Sequence, residues 1–148
     1  METNFIVKAF HELSGLELYE ILRLRSEVFV IEQNCVYQDI DNKDQESYHL
    51  MCYRNNSIAA YARIIPAGIS YNEVSIGRVV TAKNARGLGL GKDLMAEAVK
   101  ICAQLFPNTQ IRIGAQLYLL KFYYSLGFVE QGEPYDEDGI SHIEMVKK

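Results

Sequence analysis

Gly87, Gly89 and Gly91 alternate with Leu88 and Leu90. The stretch 74–92 around them carries four basic residues, Arg78, Lys83, Arg86 and Lys92, and no acidic one. Glycine lets main-chain N–H groups turn toward a ligand with no side chain in the way. Where such a run opens a helix, the first-turn amides lack helical partners and a partial positive charge gathers there, a combination suited to phosphate. The familiar phosphate loops do not fit. A P-loop reads Gly, four residues, then Gly-Lys-Ser/Thr. Counting back from Gly91-Lys92 puts Arg86 at the first glycine position and Asp93 after the lysine. A dinucleotide fingerprint, Gly-x-Gly-x-x-Gly, ends on Lys92 if begun at Gly87 and on Leu94 if begun at Gly89. What remains is a phosphate site of another type, or a glycine-rich connection that binds nothing.

The flanking elements follow from periodicity. Residues 73–81 read as a strand leading into the glycines. Leu94, Ala98, Ile101, Cys102 and Leu105 share one helical face after them, up to Pro107. Ile111, Ile113 and Ala115 alternate as a strand, and residues 118–126 read as a short aromatic helix with Gly127 as its C-terminal cap. Upstream, 4–8 is a short strand and Ser14 a helix cap. Apolar residues from Leu16 to Ile31 keep helical spacing, 34–46 is an Asp-rich loop, and 49–54 and 58–65 are strands joined by Asn55-Asn56-Ser57. Two further strands lie after Val129. Alternating strands and helices in the second half indicate an α/β layered domain.

Composition narrows the class. The chain has 148 residues, 49% of them hydrophobic and 23% charged, which suits one globular domain of residues 1–148. With 15 Lys+Arg against 19 Asp+Glu the net charge is −4, unlike a general nucleic-acid binder. No apolar run is long enough for a membrane helix, and residues 1–13 do not read as a secretory signal. The three cysteines, Cys35, Cys52 and Cys102, are widely spaced, which suits a reducing cytoplasm and neither a disulfide framework nor a structural zinc site.

Two motifs together resemble a known family. Val79-Val80-Thr81 followed by Arg86-Gly87-Leu88-Gly89-Leu90-Gly91 resembles the acyl-coenzyme A signature of the GNAT N-acetyltransferases, Arg/Gln-x-x-Gly-x-Gly/Ala. Phe122-Tyr123-Tyr124-Ser125-Leu126-Gly127-Phe128 is similar to that family's Phe-Tyr-x-x-x-Gly-Phe. Residues 24–33, 37–41 and 135–143 resemble its ElaA-type branch. The resemblance implies a mixed α/β fold: a mostly antiparallel central sheet with two splayed parallel strands, flanked by helices. It implies transfer of an acetyl group from acetyl-CoA to a primary amine by direct attack. The main chain of Val79, Val80 and Thr81 would hold the pantetheine arm, an amide near Val79 would face the thioester oxygen, and Arg86, Gly87, Leu88, Gly89, Leu90, Gly91 and Lys92 would hold the diphosphate. Tyr123 matches the tyrosine that gives a proton to the departing sulfur; on residue type alone it is equally a core aromatic beside Tyr118, Phe122 and Tyr124. Gln116 stands where the family usually has Asn.

The acceptor side is open. Acidic residues help to bind an amine, and two groups offer them: Asp39, Asp41, Asp44 and Glu46, and Glu130, Glu133, Asp136, Glu137 and Asp138. Both are also ordinary solvated loops. Glu32 leads as general base or amine anchor, His142 follows and His49 is third. Arg25, Arg63 and Arg78 sit in apolar surroundings and need structural partners. The expected partner is a small-molecule or peptide amine, with no metal, nucleic acid or membrane involved; a homodimer is compatible. The competing classes are a non-catalytic acyl-CoA sensor and an interaction domain.

Overall fold

The computed structural model describes residues 3–148. In chain order it holds β1 (Thr3–Ala9), α1 (Gly15–Arg25), β2 (Tyr48–Arg54), β3 (Ser57–Ile65), β4 (Ser75–Thr81), α2 (Leu90–Leu105), β5 (Ile111–Gln116), α3 (Leu120–Ser125), β6 (Val129–Glu137) and β7 (Ile140–Lys147). Antiparallel strands form one sheet in the order β1-β2-β3-β4 and a second in the order β5-β7-β6. The sheets meet where β4 and β5 run parallel, through a single bridge between Val74 and Ile111, with the Arg112 amide donating to the Val74 carbonyl at 2.8 Å. Beyond that bridge the two strands part.

The period-two alternation of β3 sorts its side chains between two helices. Ala60, Ala62 and Ile64 turn toward α2, where Leu94, Met95, Ala98 and Cys102 complete the larger core. Tyr61 turns the other way, with Met51 and Val80, against Ile21 and Leu24 of α1. Ser14 caps α1 in a reciprocal box with Glu17: the Glu17 amide donates to Ser14 Oγ and the Ser14 amide to Glu17 Oε1. The helix does not continue regularly to Ile31. Residues Ser26–Glu32 widen into a π-helix, with the Gln33 amide reaching Val28 O and the Cys35 amide reaching Val30 O. The widening moves the apolar residues out of phase, so Ile31 faces solvent while Val28 and Phe29 stay packed.

Three aspartates of the loop 34–46 are not free to hold an amine, while Glu46 is exposed. Asp39 and Asp44 are buried and, with Asp41, neutralise the three arginines. Arg25, fully buried, donates to Asp39 Oδ2 at 2.9 Å and to Asp44 Oδ1 at 2.7 Å. Arg63 donates to both oxygens of Asp41 at 2.8 Å and to Asp44 at 2.9 Å. His49 belongs to the same layer. Its Nε2 donates to the Asp44 carbonyl, so its Nδ1 accepts from the Tyr61 hydroxyl, and burial lowers its pKa. This is a neutral structural histidine, away from the cleft described below.

Burial pushes the Asp41 and Asp44 carboxyls up, but the guanidiniums of Arg63 and Arg25 outweigh it and hold both below the ordinary carboxylate range. A lowered folded pKa gives stability that is whole above about pH 4 and lost as pH falls through the folded values. The melting temperature is therefore expected to drop steeply below about pH 4. Asp44→Asn, which leaves two buried guanidiniums short of an acceptor, should cost about 3–5 kcal/mol at neutral pH and flatten that acid dependence. Thermal melts across pH check both.

Candidate active site

The parting of β4 and β5 opens a cleft of about 810 Å³. Val79, Val80 and Thr81 line it from β4, and Ile113, Gly114 and Gln116 from β5. Arg86 and Gly91 stand at its α2 side, Phe122 and Tyr123 come from α3, and His142 comes from β7, where it pairs in register with Gln116. Glu32 lines the cleft from the end of the π-helix. One cavity thus brings together all three expected catalytic residues with the Val79–Thr81 main chain and Gln116.

β4 is irregular where it lines the cleft. The register runs from Tyr61↔Val80 to Arg63↔Gly77, so β4 has one residue more than β3 over that interval. Arg78 lies in this bulge at φ 48°, left-handed for a residue with a side chain. The next turn of chain is built for an anion. Gly87 and Gly89 have φ of 82° and 75°, and Gly89 caps α2. Asp93 is the first residue of the α2 turn whose amide finds a main-chain acceptor, the Gly89 carbonyl. Among the described residues, the amides of Gly87, Gly89, Leu90, Gly91 and Lys92 donate to no protein group. Donors free at a helix start, two of them on positive-φ glycines with open space around them, fit a diphosphate.

Tyr123 separates from Tyr124 as helix geometry requires. Tyr123 is 7% exposed, its ring edge-on to Phe122 and Phe128, and among the described residues its hydroxyl has no hydrogen-bond partner although it lines the cleft. Burial pushes its pKa up to about 12. Tyr124 lies outside the cleft and its hydroxyl donates to Glu130. The helix end that sets Tyr123 is fixed by Gly127 at φ 93°: the Gly127 amide bonds Tyr124 O and the Phe128 amide bonds Tyr123 O, while the Phe128 ring is buried.

The two expected bases differ. Glu32 grips Arg86 through both carboxylate oxygens, and that bonding lowers its proton affinity. The pairing ties Glu32 to the arginine that precedes the glycine run and makes its carboxylate a weaker proton acceptor. His142 is buried; a carbonyl only accepts, so the 2.8 Å contact with Ile140 O places a proton on Nδ1 and leaves Nε2 as the nitrogen without a main-chain partner. Glu137 lies 3.6 Å from Nε2 and Tyr135 stacks on the ring.

Tyr71 and Tyr135 belong to no chemical motif, yet both line the cleft with their hydroxyls over Gly114. A Cβ there would lie 2.8 Å from Tyr135 Oη and 3.0 Å from Tyr71 Oη. The signal was the glycine itself, inside a strand where a close approach is the usual reason for one. Among the described residues, no group of three or more His, Cys, Asp or Glu side chains is arranged to hold a metal ion.

Residues 13–148 match the acetyltransferase (GNAT) domain family. The chain belongs to that family. ElaA of Escherichia coli is 42% identical over 139 residues, 93% of this chain and 91% of ElaA. A UPF0039 protein of Synechocystis is 42% identical over 99% of this chain and 96% of its own length. Among solved structures, an acyl-CoA N-acyltransferase from Pseudomonas aeruginosa superposes with a TM-score of 0.95 at 39% identity, over 99% of this chain and all of that one. The E. coli ElaA crystal structure gives 0.93 at 38% identity over the same shares. These relatives place the chain in the ElaA-type branch, with the mixed α/β fold of that family.

Gly89→Asp combines a positive φ unsuited to aspartate with a carboxylate in the proposed diphosphate cradle. A ligand that binds only the folded protein raises its melting temperature. Coenzyme A should raise that of the wild type and leave that of Gly89→Asp unmoved in the same thermal-shift titration.

Proposed function

We propose that the protein is an acetyl-CoA-dependent N-acetyltransferase acting on a primary amine. The observation that carries this is one cavity in which free main-chain amides, a buried phenol whose hydroxyl has no partner among the described residues and a histidine whose Nδ1 alone is held by the main chain meet. When bound, acetyl-CoA supplies an activated thioester acyl group. The free amides of Gly87, Gly89, Leu90, Gly91 and Lys92, the last three in the first turn of α2, with Arg86 beside them, would hold its diphosphate. Val79, Val80 and Thr81 present the edge of β4 that β5 leaves uncovered, suited to a pantetheine arm lying like an added strand. In this reading the Val79 amide, next to the bulge, faces the gap, where a fixed donor would stabilise negative charge developing on an acyl oxygen. Gln116 offers an amide opposite it.

Tyr123 gives its proton to the departing sulfur. A phenol kept neutral by burial holds that proton at every physiological pH. His142 takes the proton from the attacking amine through Nε2, directly or through a water, and Glu137 steadies the cation that forms. With Asp39, Asp41 and Asp44 committed to arginines, Glu137 and Asp138 are the cleft-lining carboxylates without an arginine partner, and they mark the end where a cationic amine enters. A small amine or a peptide N-terminus suits this opening, beside Tyr71 and Tyr135.

Tyr123→Phe is expected to bind coenzyme A like the wild type and to lose about 10²-fold or more in turnover, read by thiol release over an amine panel. Because the phenol ionises only near 12, the alkaline limb of the rate should not come from Tyr123 below about pH 10. An unchanged rate in Tyr123→Phe removes its role. Coenzyme A binding with no turnover on any amine favours the sensor reading instead. His142→Gln is expected to keep coenzyme A affinity and lose rate at saturating amine; Glu137→Gln is expected to raise the KM for the amine.

A further inference from the structure

We infer that Asp39, a residue outside the cleft, sets the aim of the β4 bulge through Arg78, and so positions the donor that faces the acyl oxygen. This rests on the reading of the Val79 amide given above.

The bulge needs a holder. A left-handed conformation is unfavourable for a residue with a side chain and persists only where the surroundings fix it. Here the fixing groups are on the page. Arg78 Nε donates to Asp39 Oδ1 at 2.7 Å, and its Nη2 donates to the Asp39 carbonyl at 3.1 Å and to Asp41 Oδ2 at 3.3 Å. The guanidinium lies 5.5 Å from the centre of the Tyr37 ring, and the Tyr37 hydroxyl donates to the same Asp39 Oδ1. Asp39 is anchored from behind by Arg25 of α1, which donates to its Oδ2 and its carbonyl, both at 2.9 Å. Two arginines on different elements therefore share one buried aspartate, each using its side chain and its main chain. The result ties the bulge of β4 to α1 across the loop.

The same geometry argues against a binding role for the arginine. Arg78 lines the cleft, but its Nε and Nη2 are already bonded to Asp39 and Asp41. Asp39 itself does not line the cleft, so it is a positioning residue, acting only through Arg78.

Asp39→Asn tests this, since an amide offers one oxygen where two guanidiniums need two. Acetyl-CoA labelled with carbon-13 at its carbonyl is bound to the protein, and the carbonyl stretch is followed by isotope-edited infrared spectroscopy, a readout that needs no acceptor. In the wild type the band should move to lower wavenumber on binding. In Asp39→Asn most of that movement should be lost and turnover with amines should fall about tenfold or more, while the dissociation constant for coenzyme A stays within about twofold. Ser47→Ala is the control for loop stability alone. It removes a 2.6 Å bond from Ser47 Oγ to the Lys43 carbonyl and touches neither Asp39 nor Arg78. It should keep the band shift. If Asp39→Asn fails to fold, Arg78→Lys reads the same contact, since an ammonium keeps the charge but cannot span both Asp39 acceptors. A band shift that survives in Asp39→Asn or Arg78→Lys, or that Ser47→Ala abolishes equally, overturns the positioning role and leaves the acyltransferase reading standing. A wild type that binds acetyl-CoA with no band shift overturns the oxyanion reading and the positioning role together.

Discussion

Two parallel strands that touch once and then separate govern this structure. Parallel neighbours normally continue their ladder, and a buried main-chain group without a partner is costly. Here β4 and β5 share the Val74–Ile111 bridge and then leave unpaired edges facing each other. The cleft, its peptide lining and the position of every side chain in it follow from that break. Something must keep the edges apart. On one side α2 packs beneath β3 and β4; on the other, the β5-β7-β6 sheet is swung away and held by its own antiparallel pairs.

The charged layer behind β4 makes the break durable. Three arginines and three aspartates from α1, the 34–46 loop, β3 and β4 are brought together with their charges balanced. A well-packed apolar layer would often be as stable as such a network, so stability alone is weak grounds for its presence. What an apolar layer would not supply is direction. Forked guanidiniums bind carboxylates at fixed angles, and one of them emanates from the bulge.

The sequence displays what is local. The glycines of the α2 entry, the Ser14 cap, Tyr123 ahead of Gly127 and the strand Gly114 each have a signature within a few residues, and each takes part as its type suggests. What is hidden depends on pairing at a distance. The bulge is a mismatch between two strands and has no residue signature; Arg78 reads as one more arginine needing a partner. The aspartates at 39, 41 and 44 look like a solvated loop because their arginines lie 14 to 39 residues away. Glu32 is correctly placed over the cleft, but nothing near it in the chain shows that it meets Arg86, 54 residues on. Tyr71 is silent for the same reason.

The cleft is divided by the kind of atom that lines it. In the proposed reading its donor half is peptide nitrogen and oxygen, indifferent to which side chains are attached so long as the glycines and the backbone path survive. Its acceptor half would be Tyr71, Tyr135, Glu137 and His142, contributed by the 66–74 connection and the terminal hairpin. On that reading, substitutions in those two outlying segments would exchange one nucleophile for another without disturbing the grip on the acyl donor.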